Sequence, residues 1–222
     1  MVRRRVAPLR VIVPMKGLAQ AKTRLWEGVP TLQRQGVTLM MLDRVIRAVA
    51  LALGPTACQV VGGDDPVRGV VDDAGVMWRA DPGMGLNGSL WTAMREAYED
   101  GCMAAMFMPG DLPLLDAADV VSLAHASDDY ARPVGVMASQ DGGTNALLVP
   151  ATMAFEPLLG EDSFAKHTKA FLSAGAELCA LDLPNVAFDM DSFADFAWVR
   201  DNVRDFNQSL DNWQARLYKE KV

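Results

Sequence analysis

The chain has 222 residues and a mass of 24.0 kDa, 50% hydrophobic, which suits one domain that buries its core without disulfides or metal. A net charge of −7 and a pI near 4.8 argue against a nucleic-acid partner, whose phosphates require a basic face. No signal-peptide pattern and no apolar stretch of the ~20 residues that a membrane span needs is found, and Cys58, Cys102 and Cys179 are scattered, as expected for reduced thiols in a cytoplasmic protein.

Short apolar runs alternate with helical patterns along the chain. Residues 1–8, with Arg3-Arg4-Arg5, read as a basic N-terminal tail. Val11-Ile-Val-Pro is a strand candidate, apolar throughout and therefore expected to be buried on both faces. Leu39, Leu42, Val45, Ile46, Val49 and Leu53 recur at helical spacing until Gly54-Pro55 stops them. Cys58-Gln-Val-Val and Val76-Met-Trp are further strands, with a helix from Leu90 to Tyr98. Ala104 to Met108 is an apolar run that ends abruptly in Pro109-Gly110-Asp111. A helix around Ala117–His125 precedes three more strand candidates at Val134-Gly-Val-Met, Ala146-Leu-Leu-Val and Leu178-Cys-Ala-Leu. A last helix is expected from Ser192 through the polar C-terminal helix or tail at 205–222. Strand and helix in alternation mean βαβ units. The expected fold is a three-layer α/β/α domain spanning 1–222 with a mostly parallel sheet. Ligands in such sheets bind beyond the carboxyl ends of the strands, so the polar clusters that follow apolar runs carry the chemistry.

The first cluster is Pro14-Met-Lys-Gly-Leu-Ala-Gln-Ala-Lys-Thr-Arg-Leu25, where Lys16, Lys22 and Arg24 supply cations suited to a triphosphate. It matches neither a Walker loop nor G-x-G-x-x-G, and an ordinary exposed basic loop has the same composition. In the second, Pro109-Gly110-Asp111-Leu112-Pro113, an apolar run delivers one carboxylate to the sheet edge. That aspartate suits Mg²⁺, which takes few carboxylates and keeps phosphate and water as other ligands, although a lone Asp is more commonly a turn or cap residue. The third is Phe188-Asp189-Met190-Asp191-Ser192-Phe-Ala-Asp195. In extended backbone Asp189 and Asp191 share a face, and a cation between them relieves their repulsion. Ser192 with Asp195 reads as a capping box, which makes Asp195 structural.

The fourth cluster joins Gly142-Gly143-Thr144-Asn145 to Gly160-Glu-Asp-Ser163-Phe-Ala-Lys166-His167. Backbone amides and hydroxyls there could hold an anion, with His167 one turn beyond Ser163 completing the pocket. On spacing alone Ser163 is more often a cap and His167 a core or solvent-facing imidazole. Asp81-Pro-Gly-Met-Gly-Leu86-Asn87 follows a strand, with glycines that leave room for a base or ribose.

Taken together the clusters resemble one family, the 2-phospho-L-lactate or phosphoenolpyruvate guanylyltransferases of coenzyme F-420 biosynthesis, relatives of the molybdenum-cofactor guanylyltransferases. The resemblance covers roughly Val11 to Asp195. It rests on P-x-K with A-K-T-R-L in the first loop, G-x-G-L-N at Gly83–Asn87 and G-D-L-P-L-L at Gly110–Leu115. G-T-N-A-L-L at Gly143–Leu148, G-x-x-S-F-x-x-H at Gly160–His167 and D-x-D at Asp189–Asp191 complete it. Leu159 stands where the family usually has Phe, and Ser192-Phe193 where it usually has Thr-Pro.

The resemblance implies a nucleotidyltransferase fold of the nucleotide-diphospho-sugar transferase type. It implies GMP transfer from GTP to phosphoenolpyruvate, 2-phospho-L-lactate or 3-phosphoglycerate with release of pyrophosphate. Asp111 and Asp189, with Asp191, would hold Mg²⁺. Thr144, Gly160 and Ser163 would bind the acceptor phosphate. Lys16, Lys22 and Arg24 would bind the triphosphate and act in catalysis with Asp111, and Asn87 would contact the nucleotide. A downstream transferase is expected to take the labile product, and a homodimer is left open. The rival readings are a molybdenum-cofactor or sugar-phosphate nucleotidyltransferase and a non-catalytic nucleotide-binding protein.

Overall fold

The computed structural model of the chain describes residues 7–18 and 29–219. Arg3–Arg5 therefore lie outside the described residues. Seven strands form one sheet: β1 (Leu9–Met15), β2 (Cys58–Gly62), β3 (Met77–Arg79), β4 (Ala104–Phe107), β5 (Val134–Met137), β6 (Thr144–Pro150) and β7 (Cys179–Ala180). The helices are α1 (Thr31–Leu53), α2 (Asp65–Ala74), α3 (Gly85–Glu99), α4 (Ala117–Ala126), α5 (Ser163–Ser173), α6 (Pro184–Ala187), α7 (Phe193–Asn202) and α8 (Phe206–Lys219). The strand order is β3-β2-β1-β4-β6-β5-β7. Every neighbouring pair is parallel except those made by β6, which runs against both β4 and β5.

Strand periodicity decides the layers. Val11, Val13, Ala104, Met106, Ala146 and Leu148 pack with α1, α2 and α4 on one face. Their neighbours Ile12, Ala105, Phe107, Leu147 and Val149 pack with α3 and α5 on the other. Both faces are covered, so the strands are apolar throughout rather than alternating with polar residues.

Four expectations change. α3 begins at Gly85 rather than Leu90, so Leu86 and Asn87 sit in its first turn instead of in a loop. Thr144 and Asn145 open strand β6 rather than forming a glycine-rich loop: Thr144 pairs with Met137 of β5, and the register shifts between Thr144 and Ala146. The expected single last helix is two. Val203 takes extended backbone, Asp205 turns to a φ of 64°, and α8 folds back so that Phe206 and Leu210 join Val37, Met41 and Phe196 in one apolar cluster. The C-terminal segment is thus a packed helix rather than a tail as far as Lys219. At the other end Pro8 is also on the sheet, its carbonyl accepting from the amides of Met103 and Ala104.

Gly62 ends β2 with a φ of 86°, and a Cβ there would lie 2.5 Å from the Met15 carbonyl oxygen. Gly75 has a φ of 66° and open space around it. Gly62→Ala should cost about 2–3 kcal/mol and Gly75→Ala about 1 kcal/mol, since only the first adds a backbone clash to the left-handed penalty. At roughly 2–4 °C per kcal/mol for this chain length, thermal unfolding should separate the two variants clearly. Equal losses would contradict the clash.

Candidate active site

The order β3-β2-β1 runs one way from β1 while β4 lies on its other side, so the sheet's topological switch falls between β1 and β4. The chain leaves β1 at Lys16 and leaves β4 at Pro109-Gly110-Asp111, side by side at one sheet edge. A cleft of about 460 Å³ opens there, lined among others by Lys16, Asp81, Phe107, Asp111 and Asp191. Lys16 is exposed at its rim. Lys22 and Arg24 lie outside the described residues. The start of their loop is tethered, because the Leu18 amide donates to Asp64 Oδ2 at 2.7 Å.

β6 brings further groups to the same edge. Leu147 pairs with Phe107 at the end of β4, and β6 runs antiparallel, so its first residues lie level with the loop after β4. Asn145, buried, donates through Nδ2 to the carbonyls of Val186 and Ala187 and to Asp189 Oδ1, each at 3.1 Å. The Met190 amide donates to the Asp111 carbonyl at 3.1 Å, and the Met190 side chain is fully buried. Met190 faces the core, and Asp189 and Asp191 flank it, as the period-two reading of the D-x-D segment requires. The Asp189–Asp191 segment is therefore held beside the Asp111 turn, close enough for Asp189 to feel the charges of Asp191 and Asp111. Burial pushes the Asp189 carboxyl up to about 6; the Asn145 hydrogen bond opposes this, and the charges of Asp191 and Asp111 add to it. Among the described residues no group of three or more His, Cys, Asp or Glu side chains is arranged to hold a metal ion by itself. Repulsion of the Asp189 carboxylate by its acidic neighbours is what a divalent cation relieves.

The fourth cluster assembles around the start of α5. Thr144 Oγ1 is 2.9 Å from Ser163 Oγ and 3.1 Å from His167 Nδ1. His167 Nε2 accepts from the Leu158 amide at 2.9 Å. Ser163 and His167 are fully buried and Thr144 nearly so. His167 is thus a core imidazole bonded to the hydroxyl pair, one of the two places that spacing alone favoured for it. Burial, with some help from the Lys166 charge, lowers its pKa to about 4, so the ring is neutral near pH 7. Gly160, at a φ of 127°, turns the chain into this helix, and its carbonyl accepts from the Ser163 amide at 3.1 Å.

Asn87 is engaged with backbone. Its Oδ1 accepts from the Leu159 amide at 2.9 Å and its Nδ2 donates to the Leu159 carbonyl at 3.2 Å, which clamps residue 159 to α3. Asp81, whose carboxylate accepts from the Ser89 hydroxyl and the Gly83 amide, is held below the usual carboxylate range by those bonds. Asp195 caps α7 from the N3 position with Ser192, as the sequence indicated. The role of Asn145 was missed. A polar side chain at the head of an otherwise apolar strand was its one sequence signal.

The family model described as "Guanylyl transferase CofC like" matches residues 9–199. A phosphoenolpyruvate guanylyltransferase of Rubrobacter xylanophilus is 37% identical over 188 residues, covering 84% of this chain and 90% of the relative. One from a Roseiflexus species is 34% identical, covering 96% and 93%. Among solved structures, a putative nucleotide-diphospho-sugar transferase of Desulfovibrio desulfuricans superposes with a TM-score of 0.74 at 17% identity, covering 97% of this chain and 96% of that one. A nucleotidyl transferase of Methanothermobacter superposes with a TM-score of 0.57 at 15% identity, covering 87% and 96%. The fold is that of the nucleotide-diphospho-sugar transferases.

His167 also makes a prediction about pH. Its folded pKa, about 4, lies below the ordinary 6.5, so the unfolded chain binds the extra proton between those values. Stability contributed by the neutral ring is complete above pH 6.5 and is lost as pH falls towards 4. Denaturant titrations at pH 7 and pH 4.5 should show a loss in wild type that shrinks in His167→Phe by on the order of 2 kcal/mol. Parallel losses in the two proteins would show that His167 does not titrate this way.

Proposed function

The chain belongs to the family of CofC-like guanylyl transferases, and we propose that it transfers GMP from GTP to a three-carbon phosphorylated acid, phosphoenolpyruvate first among the candidates. The observation that carries this reading is the convergence of Asp111, Asp189 and Asp191 beside Lys16 at the β1–β4 switch. The same resemblance makes the reaction a step of coenzyme F-420 biosynthesis in the cytoplasm, with 2-phospho-L-lactate and 3-phosphoglycerate as the other acceptors and a downstream transferase consuming the product.

The acceptor phosphate is anionic near neutral pH, so it attacks without a general base. One of its oxygens bonds to the α-phosphorus of GTP, the bond from that phosphorus to the α–β bridging oxygen breaks, and pyrophosphate leaves with the electron pair. The protein's tasks are alignment and charge balance. Lys16, which lines the cleft, would neutralise the triphosphate, and the resemblance gives Lys22 and Arg24 the same task. Asp111, Asp189 and Asp191 are the residues that would hold Mg²⁺, since their clustered oxygens suit a hard cation. When bound, Mg²⁺ offsets phosphate charge and polarises phosphoryl oxygens. Asn145 orients Asp189, and the backbone bond from Met190 keeps the two acidic segments in register. On the family resemblance, Thr144, Ser163 and the turn at Gly160 would hold the acceptor phosphate. Asn87 supports that wall through Leu159 while lying near the nucleotide end of α3.

The test is incubation of the full chain with Mg²⁺, each of GTP and CTP, and each candidate acid, with products read by mass. Guanosine-diphospho product with one acid is expected. Turnover with CTP alone, or with no acid, would overturn the reading. Asp111→Asn should lower turnover by roughly 10²-fold or more, judged from losses on removal of one electrostatic stabiliser. Near-normal pyrophosphate release by that variant would remove Asp111 from the site.

A further inference from the structure

The Thr144–Ser163–His167 cluster fixes the direction of its own hydrogen bonds. A backbone amide can only donate, so His167 Nε2, which accepts from Leu158, carries a lone pair. The hydrogen of the neutral ring is then on Nδ1 and is donated to Thr144 Oγ1. Thr144 and Ser163 together carry two hydroxyl hydrogens, and their mutual bond uses one of them. Among the described residues neither hydroxyl has another acceptor, so one hydrogen is left over. In the opposite tautomer, Nδ1 would draw the Thr144 hydrogen and Thr144 would draw that of Ser163, so the pair would present only lone pairs. An oxyanion is attracted by the first arrangement and repelled by the second.

We propose that His167 is a positioning residue for the acceptor acid. Through Nδ1–H on Thr144 Oγ1 it makes the Thr144–Ser163 pair a net hydrogen donor towards an oxyanion of the phosphorylated acid, and the Leu158 amide selects the tautomer that does so. This rests on the reading of Thr144 and Ser163 as acceptor contacts. The neutrality of the ring follows from its burial beside Phe155, which packs in turn on Phe171. The Leu158 amide is itself held in place, because the next residue is clamped to α3 by Asn87.

Two measurements test the proposal. The chain has two histidines, and His125 is exposed near the end of α4, so His125→Gln leaves His167 as the single imidazole. Nitrogen-15 NMR of that histidine-labelled protein at pH 7 should show a protonated Nδ1 and a lone pair on Nε2. The reverse tautomer or an imidazolium would overturn the proposal, and this measurement needs no variant at His167. In steady-state assays with GTP and phosphoenolpyruvate, His167→Phe should raise the KM for the acid by at least about tenfold, the cost of one hydrogen bond to a charged group. The KM for GTP should stay within about twofold. His167→Asn, whose Nδ2 can replace the Nδ1 donor, should recover part of the loss. Unchanged acid KM in His167→Phe, or equal rises for both substrates, would overturn the proposal. Thr144→Val and Ser163→Ala separate the two levels. If both leave the acid KM unchanged, the acceptor reading itself falls and the proposal with it. If both raise it while His167→Phe does not, only the role of His167 falls.

Discussion

Like charges gathered against their own repulsion are the constraint on which this molecule turns. The Asp111 turn and the Asp189–Asp191 segment are joined by a backbone hydrogen bond from Met190 and by the burial of the Met190 side chain between the two carboxylates. The first contact is between backbone atoms, and Asp189 is held besides through its carboxylate, which accepts from Asn145 Nδ2. The consequence is visible at Asp189, whose proton affinity rises with burial and with its acidic neighbours. A carboxylate kept at that level favours a cation over open water. Whatever cation binds there gains from repulsion that folding has already overcome.

The proposed acceptor site would work with neutral groups. On that reading the hydroxyls of Thr144 and Ser163, bonded to a buried imidazole, would stand in for the arginines that phosphate sites often use. The two walls share supports. Asn145 follows Thr144 in β6, so the residue that steers Asp189 and the residue that carries the hydroxyl are fixed by one strand. Asn87 ties α3 to Leu159, one residue beyond the amide that meets His167. A displacement of β6 would therefore disturb the acidic wall and the hydroxyl wall together.

Much of this was legible in the sequence, and the limits have physical causes. The apolar runs at Val11–Val13 and Ala104–Met108 read directly as strands buried on both faces, because helices cover both sides of the sheet. The turns after them were placed correctly because ligands gather beyond strand ends. Asp189 and Asp191 were readable as a pair because an apolar residue separates them at the period of extended chain. Their meeting with Asp111 was not readable from spacing, since it depends on β6 running antiparallel beside β4. Helical spacing puts His167 one turn from Ser163 and leaves a core and a solvent-facing place both open to it. Spacing gives a face but not what lies behind it. The start of α3 was set too late because its first turn carries Gly85 and Gly88, residues that weaken any helical pattern. The break between α7 and α8 escaped notice because it uses Val203 and Asp205 rather than a proline or glycine.

The overall charge explains why the walls differ. On the proposed function, a protein with net charge −7 would have to admit a triphosphate and a phosphorylated acid, both strongly anionic. Beyond about 8 Å, salt screens the protein's field, so the unfavourable net charge matters mainly on approach and little within the cleft. Recognition must then come from short-range groups: the Lys16 ammonium at the rim, the cation that the acidic trio would hold, and oriented hydroxyl donors. Lining both walls with fixed positive charge would tighten substrate and product alike, which lowers KM without raising turnover. Neutral donors around the acceptor leave the strongest electrostatic effect for the place where charge moves during the reaction, between the attacking oxygen and the departing pyrophosphate. An oriented but uncharged acceptor wall is therefore the arrangement that an acidic enzyme of phosphoryl chemistry can use without trapping its own product.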